Sequence, residues 1–121
     1  MGAVDYLAGT DTVHIVTGLP DGREVVTRIW AVVVDGVPYV RNGFGERSQW
    51  YARVRRAGGR AAFLDGDSRY AVTLAPLDDA DVNTRVDAAY RDKYASAGDA
   101  LREAVSPEVR ANTLRVTVTA E

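Results

Sequence analysis

Short apolar runs separated by turn residues fill the first part of the chain, and this pattern predicts β-strands. Residues 13–17 form the first run, which ends in a proline- and glycine-containing turn at residues 19–22. Residues 24–34 follow with apolar side chains on both faces, a pattern typical of a strand buried on both sides in the centre of a sheet. Asp35-Gly36 then predicts a two-residue hairpin that returns residues 38–42 antiparallel to that central strand.

The next segment predicts a helix and a second hairpin. Apolar side chains recur at helical spacing in residues 48–57, at Trp50, Tyr51, Val54 and Ala57. Two glycines at 58 and 59 end this helix, and we expect the arginines at 53, 55 and 56 to point outward into solvent. Residues 60–64 and 69–74 predict two strands joined across residues 65–67.

Helices come late in the chain. Asp79 or Asp81 can cap a helix whose apolar stripe consists of Val82, Val86, Ala89, Tyr90 and Tyr94. The pairs Asp81–Arg85 and Asp87–Arg91 have the spacing of ion pairs on one helix face. Residues 99–105 predict a second helix, and residues 113–119 alternate as a closing strand. Six short strands, one inserted helix and a helical pair before the last strand therefore predict a small antiparallel barrel, mainly β with helices (α+β).

Composition limits the function classes. The 121 residues are expected to form a single domain, residues 1–121, and a net charge of −2 argues against nucleic-acid binding. The absence of cysteine excludes disulfides, thiolate nucleophiles and iron–sulfur clusters, and a single histidine, His14, argues against an imidazole-rich metal site. We find no leader-like start and no run near the roughly 18 apolar residues that a membrane span needs. A cytoplasmic location without membrane contact is expected.

Residues 41–60 are the segment with the clearest candidate chemistry. They hold six arginines and one acid, Glu46, an excess of five positive charges. Gly43 and Gly45 let the backbone approach a ligand, and Ser48 can cap the following helix, whose first N–H groups attract anions. Arg41, Arg47 and those amides could therefore hold a phosphate. The alternative is that the arginines form a solvated helix face.

Two stretches of this segment resemble a known family. Residues 39–50, YVRNGFGERSQW, resemble the pyridoxamine phosphate oxidase pattern, and residues 48–63, SQWYARVRRAGGRAAF, resemble the pattern of deazaflavin-dependent nitroreductases. The likeness to this FMN-binding split-barrel superfamily spans about residues 13–74. The tail, DAAYRDKY at 87–94 and TLRV at 113–116, looks like a small bacterial family within it.

The resemblance implies a homodimer of six-stranded split barrels with a ligand cleft at the dimer interface. It implies a small oxidoreductase that binds FMN or a deazaflavin and acts on a small organic molecule, with Arg47 and Ser48 contacting the phosphate. The candidate cofactor-binding residues are Trp30, Arg41, Asn42, Gly43, Gly45, Arg47, Ser48 and Trp50. Arg41 replaces a small hydroxyl residue of the family pattern, and no Arg-Lys-Ser-Gly motif follows the first strand. The alternatives are a cofactor-free small-molecule-binding protein or non-redox enzyme on the same fold, and a dimeric interaction module that would need no cleft.

Several single residues can be interpreted either as ligand contacts or as structural residues. Trp30 could stack on a ring system, but a tryptophan on an apolar strand is more often core or dimer contact. Tyr90 and Tyr94 are four residues apart and are expected to form a packing stripe. Lys93, the only lysine, falls outside that stripe and is expected in solvent. No catalytic residue can be assigned from the sequence.

Overall fold

Seven strands form one antiparallel sheet that curls into a half-barrel, and five helices pack around it. The computed structural model describes residues 2–43 and 49–120. The elements in chain order are α1 (Ala3–Gly9), β1 (Val13–Gly18), β2 (Glu24–Ile29), β3 (Val32–Val34), β4 (Val37–Arg41), α2 (Gln49–Arg56), β5 (Arg60–Asp65), β6 (Ser68–Pro76), α3 (Ala80–Lys93), α4 (Asp99–Ala104), α5 (Pro107–Arg110) and β7 (Thr113–Ala120). The strand order is β2-β1-β5-β6-β7-β4-β3. The predicted class is confirmed, but the sheet has seven strands rather than six.

The extra strand comes from a break in the predicted central strand, residues 24–34. The chain leaves the ladder at Trp30 and Ala31, so β2 pairs with β1 at one edge of the sheet and β3 pairs with β4 at the other. The prediction of one central strand is therefore wrong. Strand β3 is apolar on both faces because α3 covers one face and the main core covers the other, whereas the outer face of β2 is exposed.

The turns predicted from glycine are confirmed. Asp35 and Gly36 both have positive φ, 52° and 80°, and connect paired Val34 and Val37 in a two-residue hairpin. Gly59 has a φ of 91°, and a Cβ atom there would lie 2.9 Å from the backbone oxygen of Leu74. A side chain at residue 59 would therefore clash where the end of α2 meets β6.

The predicted helices are confirmed, with differences in which side chains they bury. Trp50 and Val54 of α2 enter the core as expected, but Arg53 is buried rather than exposed. Asp79 caps α3 by accepting a hydrogen bond from the Val82 N–H at 3.1 Å. The predicted Asp87–Arg91 pair is wrong, because Asp87 is buried and pairs with arginines from other elements.

Two short helices were not expected from the sequence. Helix α1 buries Ala3, Tyr6 and Leu7, and the Tyr6 hydroxyl accepts a hydrogen bond from the His14 N–H at 3.0 Å. Helix α5 begins after Ser106, whose hydroxyl accepts from the Val109 N–H, and carries proline at its first position. A serine followed by proline is a known helix-start signal, so α5 could have been found in the sequence.

Two apolar clusters stabilise the fold. The main core lies within the curl of the sheet and includes Ile15, Phe63, Val72, Leu114, Trp50 and Val54. The second cluster packs α3 against β3 and β4 and includes Val32, Tyr39, Val86, Tyr90 and Tyr94. Within the described ranges, none of the helices has the length and apolar character that crossing a bilayer requires.

Candidate functional site

A cleft of about 410 Å³ opens beside the end of β2, where the chain breaks out of the sheet. Its walls come from β2, from the residues around the end of β4, from the start of α2 and from α3, α4 and α5. The lining residues are Thr27, Arg28, Ile29, Trp30, Arg41, Gly43, Trp50, Tyr90, Ala100, Glu103, Ala104 and Val109. Distant parts of the sequence thus meet at one concave, largely apolar surface, as in many ligand sites.

Aromatic rings form one wall of the cleft. Trp30 stacks on Tyr94 with ring centroids 4.0 Å apart and planes inclined by 8°. Tyr90 stacks on Tyr94 at 5.8 Å and lies 6.5 Å from Trp30. Trp30 and Tyr90 line the cleft, whereas Tyr94 supports them from behind. A planar ligand in the cleft would therefore meet a rigid aromatic surface.

Hydrogen bonds to the backbone fix the position of Trp30. The Tyr94 hydroxyl accepts from the Ala31 N–H at 3.1 Å and donates to the Asp11 carbonyl at 2.7 Å. Burial raises the pKa of Tyr94 to about 12, so the phenol keeps the proton it donates at neutral pH. Because Ala31 follows Trp30, this contact holds the break between β2 and β3 in place.

Lys93 also stabilises the break between β2 and β3. Its Nζ atom donates to the carbonyl oxygens of Leu7 at 2.8 Å and of Ala31 at 2.7 Å, which ties α1 and the strand break to α3. Burial lowers the pKa of Lys93 from its usual range. The expectation that Lys93 is solvated is therefore wrong. It is half-buried and supports the cleft from outside rather than lining it.

Arg41 lines the cleft, but its guanidinium group is bound to other residues of the protein. The Arg41 Nη1 atom is 2.6 Å from Asp87 Oδ1 and donates to the Ala104 carbonyl at 2.9 Å. The Nε atom donates to Thr113 Oγ1, and Nη2 donates to the Asn83 side-chain and backbone oxygens. All three guanidinium nitrogens thus face protein oxygens. The hypothesis that Arg41 binds a phosphate finds no support in this geometry.

Asp87 forms ion pairs with two arginines beneath the cleft. Its Oδ1 faces Arg41, and its Oδ2 accepts a hydrogen bond from Arg110 Nη1 at 2.5 Å. The Arg41 guanidinium also lies 5.2 Å from the centroid of the Tyr90 ring, a cation–π distance. This buried cluster joins β4, α3 and α5 and positions Tyr90 against the cleft.

The structure brings several predicted site residues together. Trp30, Gly43 and Trp50 line the cleft with Arg41. Asn42 is buried next to them, and its N–H donates to the Asn112 carbonyl at 3.2 Å. Three further candidates, Gly45, Arg47 and Ser48, lie outside the described residues.

Other lining residues were missed in the sequence. Arg28 and Glu103 are exposed and bring charge to the cleft, and Ala104 closes it from α4. No motif marks these residues, because β2 and α4 are separated by most of the chain. Tyr90 was predicted as a packing residue, and it both packs and lines the cleft.

Comparisons with known proteins relate this chain to a bacterial family and to several solved structures. Residues 3–116 match the sequence model of a family described as "Uncharacterized protein conserved in bacteria (DUF2255)". No curated protein matches the sequence. A conserved hypothetical protein from Mycobacterium tuberculosis has a similar structure, with 22% identity and a TM-score of 0.65, over 100% of this chain and 81% of the other.

Two further solved structures carry names that describe an activity. A candidate pyridoxamine 5′-phosphate oxidase from Listeria innocua matches with 14% identity and a TM-score of 0.60, over 98% of this chain and 90% of the other. A protein described as F420 reductase matches with 19% identity and a TM-score of 0.51, over 100% of this chain and 94% of the other. At these identities the likeness establishes a shared fold, which confirms the split-barrel resemblance.

Proposed function

Because the chain belongs to the bacterial family DUF2255 and has the fold of FMN-binding split-barrel proteins, we propose that it is a small flavin- or deazaflavin-dependent oxidoreductase. The cofactor would lie in the cleft beside Trp30, and a small organic molecule would be the substrate. One observation carries this proposal: Trp30 lines the cleft while its ring is stacked at 4.0 Å on Tyr94. Such a preformed flat surface suits a planar tricyclic ring.

The residues of the cleft fit the ring of such a cofactor. Trp30, Trp50 and Tyr90 offer aromatic contacts, and Ala100, Ala104 and Val109 supply apolar surface. When bound, the cofactor would supply hydride transfer, and the protein would supply binding, orientation and local charge. The apolar walls would exclude water from the ring, and Arg28 and Glu103 would contribute the charge near it. Arg47 and Ser48 remain proposed phosphate contacts on the sequence resemblance, and Gly45 remains a proposed position of close backbone approach to the ligand.

A homodimer is part of the proposal. Strand β2 lies at an edge of the sheet, and its Val26 is 51% exposed, a large apolar side chain in solvent. The same strand lines the cleft through Thr27 and Ile29, so a partner that covers β2 would also border the ligand. The cleft would then be shared between two subunits.

Light scattering should give a mass of two chains, each of 13.1 kDa, at micromolar concentration. Val26→Asp should shift the protein toward monomer, because the substitution places a charge on the proposed contact surface. Asp67→Asn, in the exposed turn between β5 and β6, should leave the mass unchanged and serves as the control. A wild-type monomer would remove the basis for an interface cleft.

The second candidate function is binding of an apolar small molecule without a cofactor. It is favoured by Arg41, whose guanidinium is neutralised by Asp87 and bound to Ala104, Thr113 and Asn83. A cofactor-free protein needs no phosphate contact. Binding of an apolar dye but of neither FMN nor F420 would favour this function.

Trp30→Ala should weaken binding of FMN or F420, because it removes the ring on which the cofactor would stack. The expected loss is about 0.5–1.5 kcal/mol, roughly 2- to 12-fold in Kd. Trp30→Phe should keep most of the affinity, and Asp67→Asn, in the exposed turn between β5 and β6 and outside the cleft lining, should keep all of it. Fluorescence titration measures the four constants. Equal affinity in wild type and Trp30→Ala would place the ligand elsewhere.

A further inference from the structure

Two arginines of the described chain are buried, and they differ in their partners. Arg41 is 7% exposed and faces the carboxylate of Asp87. Arg53 of α2 is 8% exposed, and its Nε atom donates to the hydroxyl of Thr17 at 2.6 Å. Across residues 2–43 and 49–120, no carboxylate lies within 4.0 Å of the Arg53 guanidinium.

A buried cation without a counter-charge is costly to a fold. Buried charges in proteins are normally paired, because desolvation of an isolated ion is not repaid by neutral partners alone. Thr17 is a neutral acceptor and occupies only Nε. Within the described chain, the Nη1 and Nη2 atoms have no protein acceptor, and this pair of nitrogens can bind an oxyanion in a bidentate way.

Arg53 lies near the cleft along two elements of the fold, the β1–β2 ladder and α2. Thr17 pairs with Val25 in the β1–β2 ladder, and Thr27, two residues along β2 on the same face, lines the cleft. Two residues of a strand span about 7 Å. On α2, Trp50 lies one turn before Arg53 and also lines the cleft. Arg53 is therefore separated from the cleft lining by about two residues along β2 and by one helical turn along α2.

We propose that the Arg53 guanidinium, held by Thr17, is an anion-binding group of this protein and binds the phosphate of the ligand in the cleft. The ribityl chain of FMN separates a planar ring from a phosphate, and it could span the distance between the aromatic wall of the cleft and Arg53. The assignment rests on the proposed function for the identity of the ligand. It replaces Arg41 with Arg53 as the buried arginine that contacts the phosphate.

Comparison of FMN with riboflavin, which lacks the phosphate, tests the assignment. Wild type should bind FMN about 10- to 100-fold more tightly than riboflavin, the range expected for hydrogen bonds to a charged group. Arg53→Gln should lose most of the preference for FMN and should bind riboflavin as wild type does. Arg55→Gln is the matched control, because Arg55 is exposed on the same helix, and it should keep the preference for FMN.

Inorganic phosphate gives a second readout that needs no flavin. Phosphate should raise the Tm of wild type and of Arg55→Gln but not of Arg53→Gln. In phosphate-free buffer Arg53→Gln should melt at the same temperature as wild type or higher, since it removes a buried charge that has no carboxylate partner among the described residues. If Arg53→Gln does not fold, Arg53→Lys keeps the charge without the planar fork and should lose most of the preference for FMN.

The outcomes separate the two proposals. Equal affinity of wild type for FMN and riboflavin would overturn the Arg53 assignment while the proposed flavin function stands. Protection of wild type but not of Arg53→Gln by phosphate, with no binding of FMN, riboflavin or F420, would support the anion site and contradict the proposed cofactor-dependent function. Equal protection of both proteins by phosphate would overturn the Arg53 assignment.

Discussion

Asp87→Ala should lower the free energy of unfolding by about 3–5 kcal/mol, the loss expected when one member of a buried ion pair is removed. Asp87 is 6% exposed and neutralises Arg41, which is 7% exposed. Its other oxygen binds Arg110 from α5. The variant would leave Arg41 as an uncompensated charge between β4 and α3. Urea unfolding followed by circular dichroism measures the change.

Two further variants sharpen this test. Asp81→Ala removes an exposed carboxylate from the first turn of the same helix and should change stability by no more than about 0.5 kcal/mol. Combining Asp87→Leu with Arg41→Met replaces the pair with apolar side chains and should recover most of the loss. A loss below about 1 kcal/mol for Asp87→Ala would contradict the description of this pair as a buried one.

Tyr90→Ala should cost about 3–5 kcal/mol, as truncation of a large buried aromatic does. Tyr90 is 1% exposed and packs against Trp30, Tyr94 and the Arg41 guanidinium. Its loss would open a cavity between α3 and β3 and continuous with the cleft. The midpoint of urea unfolding should fall accordingly.

Tyr90→Phe is the matched control for this variant. It keeps the ring and removes only the hydroxyl, so it should cost about 1 kcal/mol. Burial raises the pKa of the Tyr90 phenol far above its usual value, so its effect on stability should not vary with pH near neutrality. A mild effect of Tyr90→Ala would mean that the aromatic wall of the cleft is not preformed.

The local features of the fold were predictable because short-range chemistry determines them. The hairpin at Asp35-Gly36 needs two residues that tolerate positive φ, and the sequence provides them. The Asp79 cap and the glycines that end α2 follow from equally local rules. These signals fixed most elements and the antiparallel class.

The errors arose where distant residues decide the outcome. The break at Trp30 and Ala31 depends on Tyr94 and Lys93, which bind the Ala31 backbone from 62 or 63 residues away. No property of residues 24–34 alone indicates this contact. Burial of Asp87 likewise depends on Arg41 and Arg110, and helix spacing alone suggested a surface pair with Arg91.

The sequence predicted only part of the candidate site, because contacts between distant residues complete it. The glycine-rich segment led to Gly43 and Trp50, which do line the cleft, and the indole of Trp30 was considered separately as a possible stacking surface. The arginines could not be ranked from the sequence, because their partners decide their role. Arg41 has a buried acid beside it, whereas Arg53 has a threonine.

Equilibrium dialysis of the purified protein against FMN and against F420 tests the central claim most directly. The proposed function predicts saturable binding of at least one of them at one molecule per chain, with weaker binding by Trp30→Ala. Absence of saturable binding of both cofactors at micromolar concentrations, by a protein that is folded and dimeric, would contradict it.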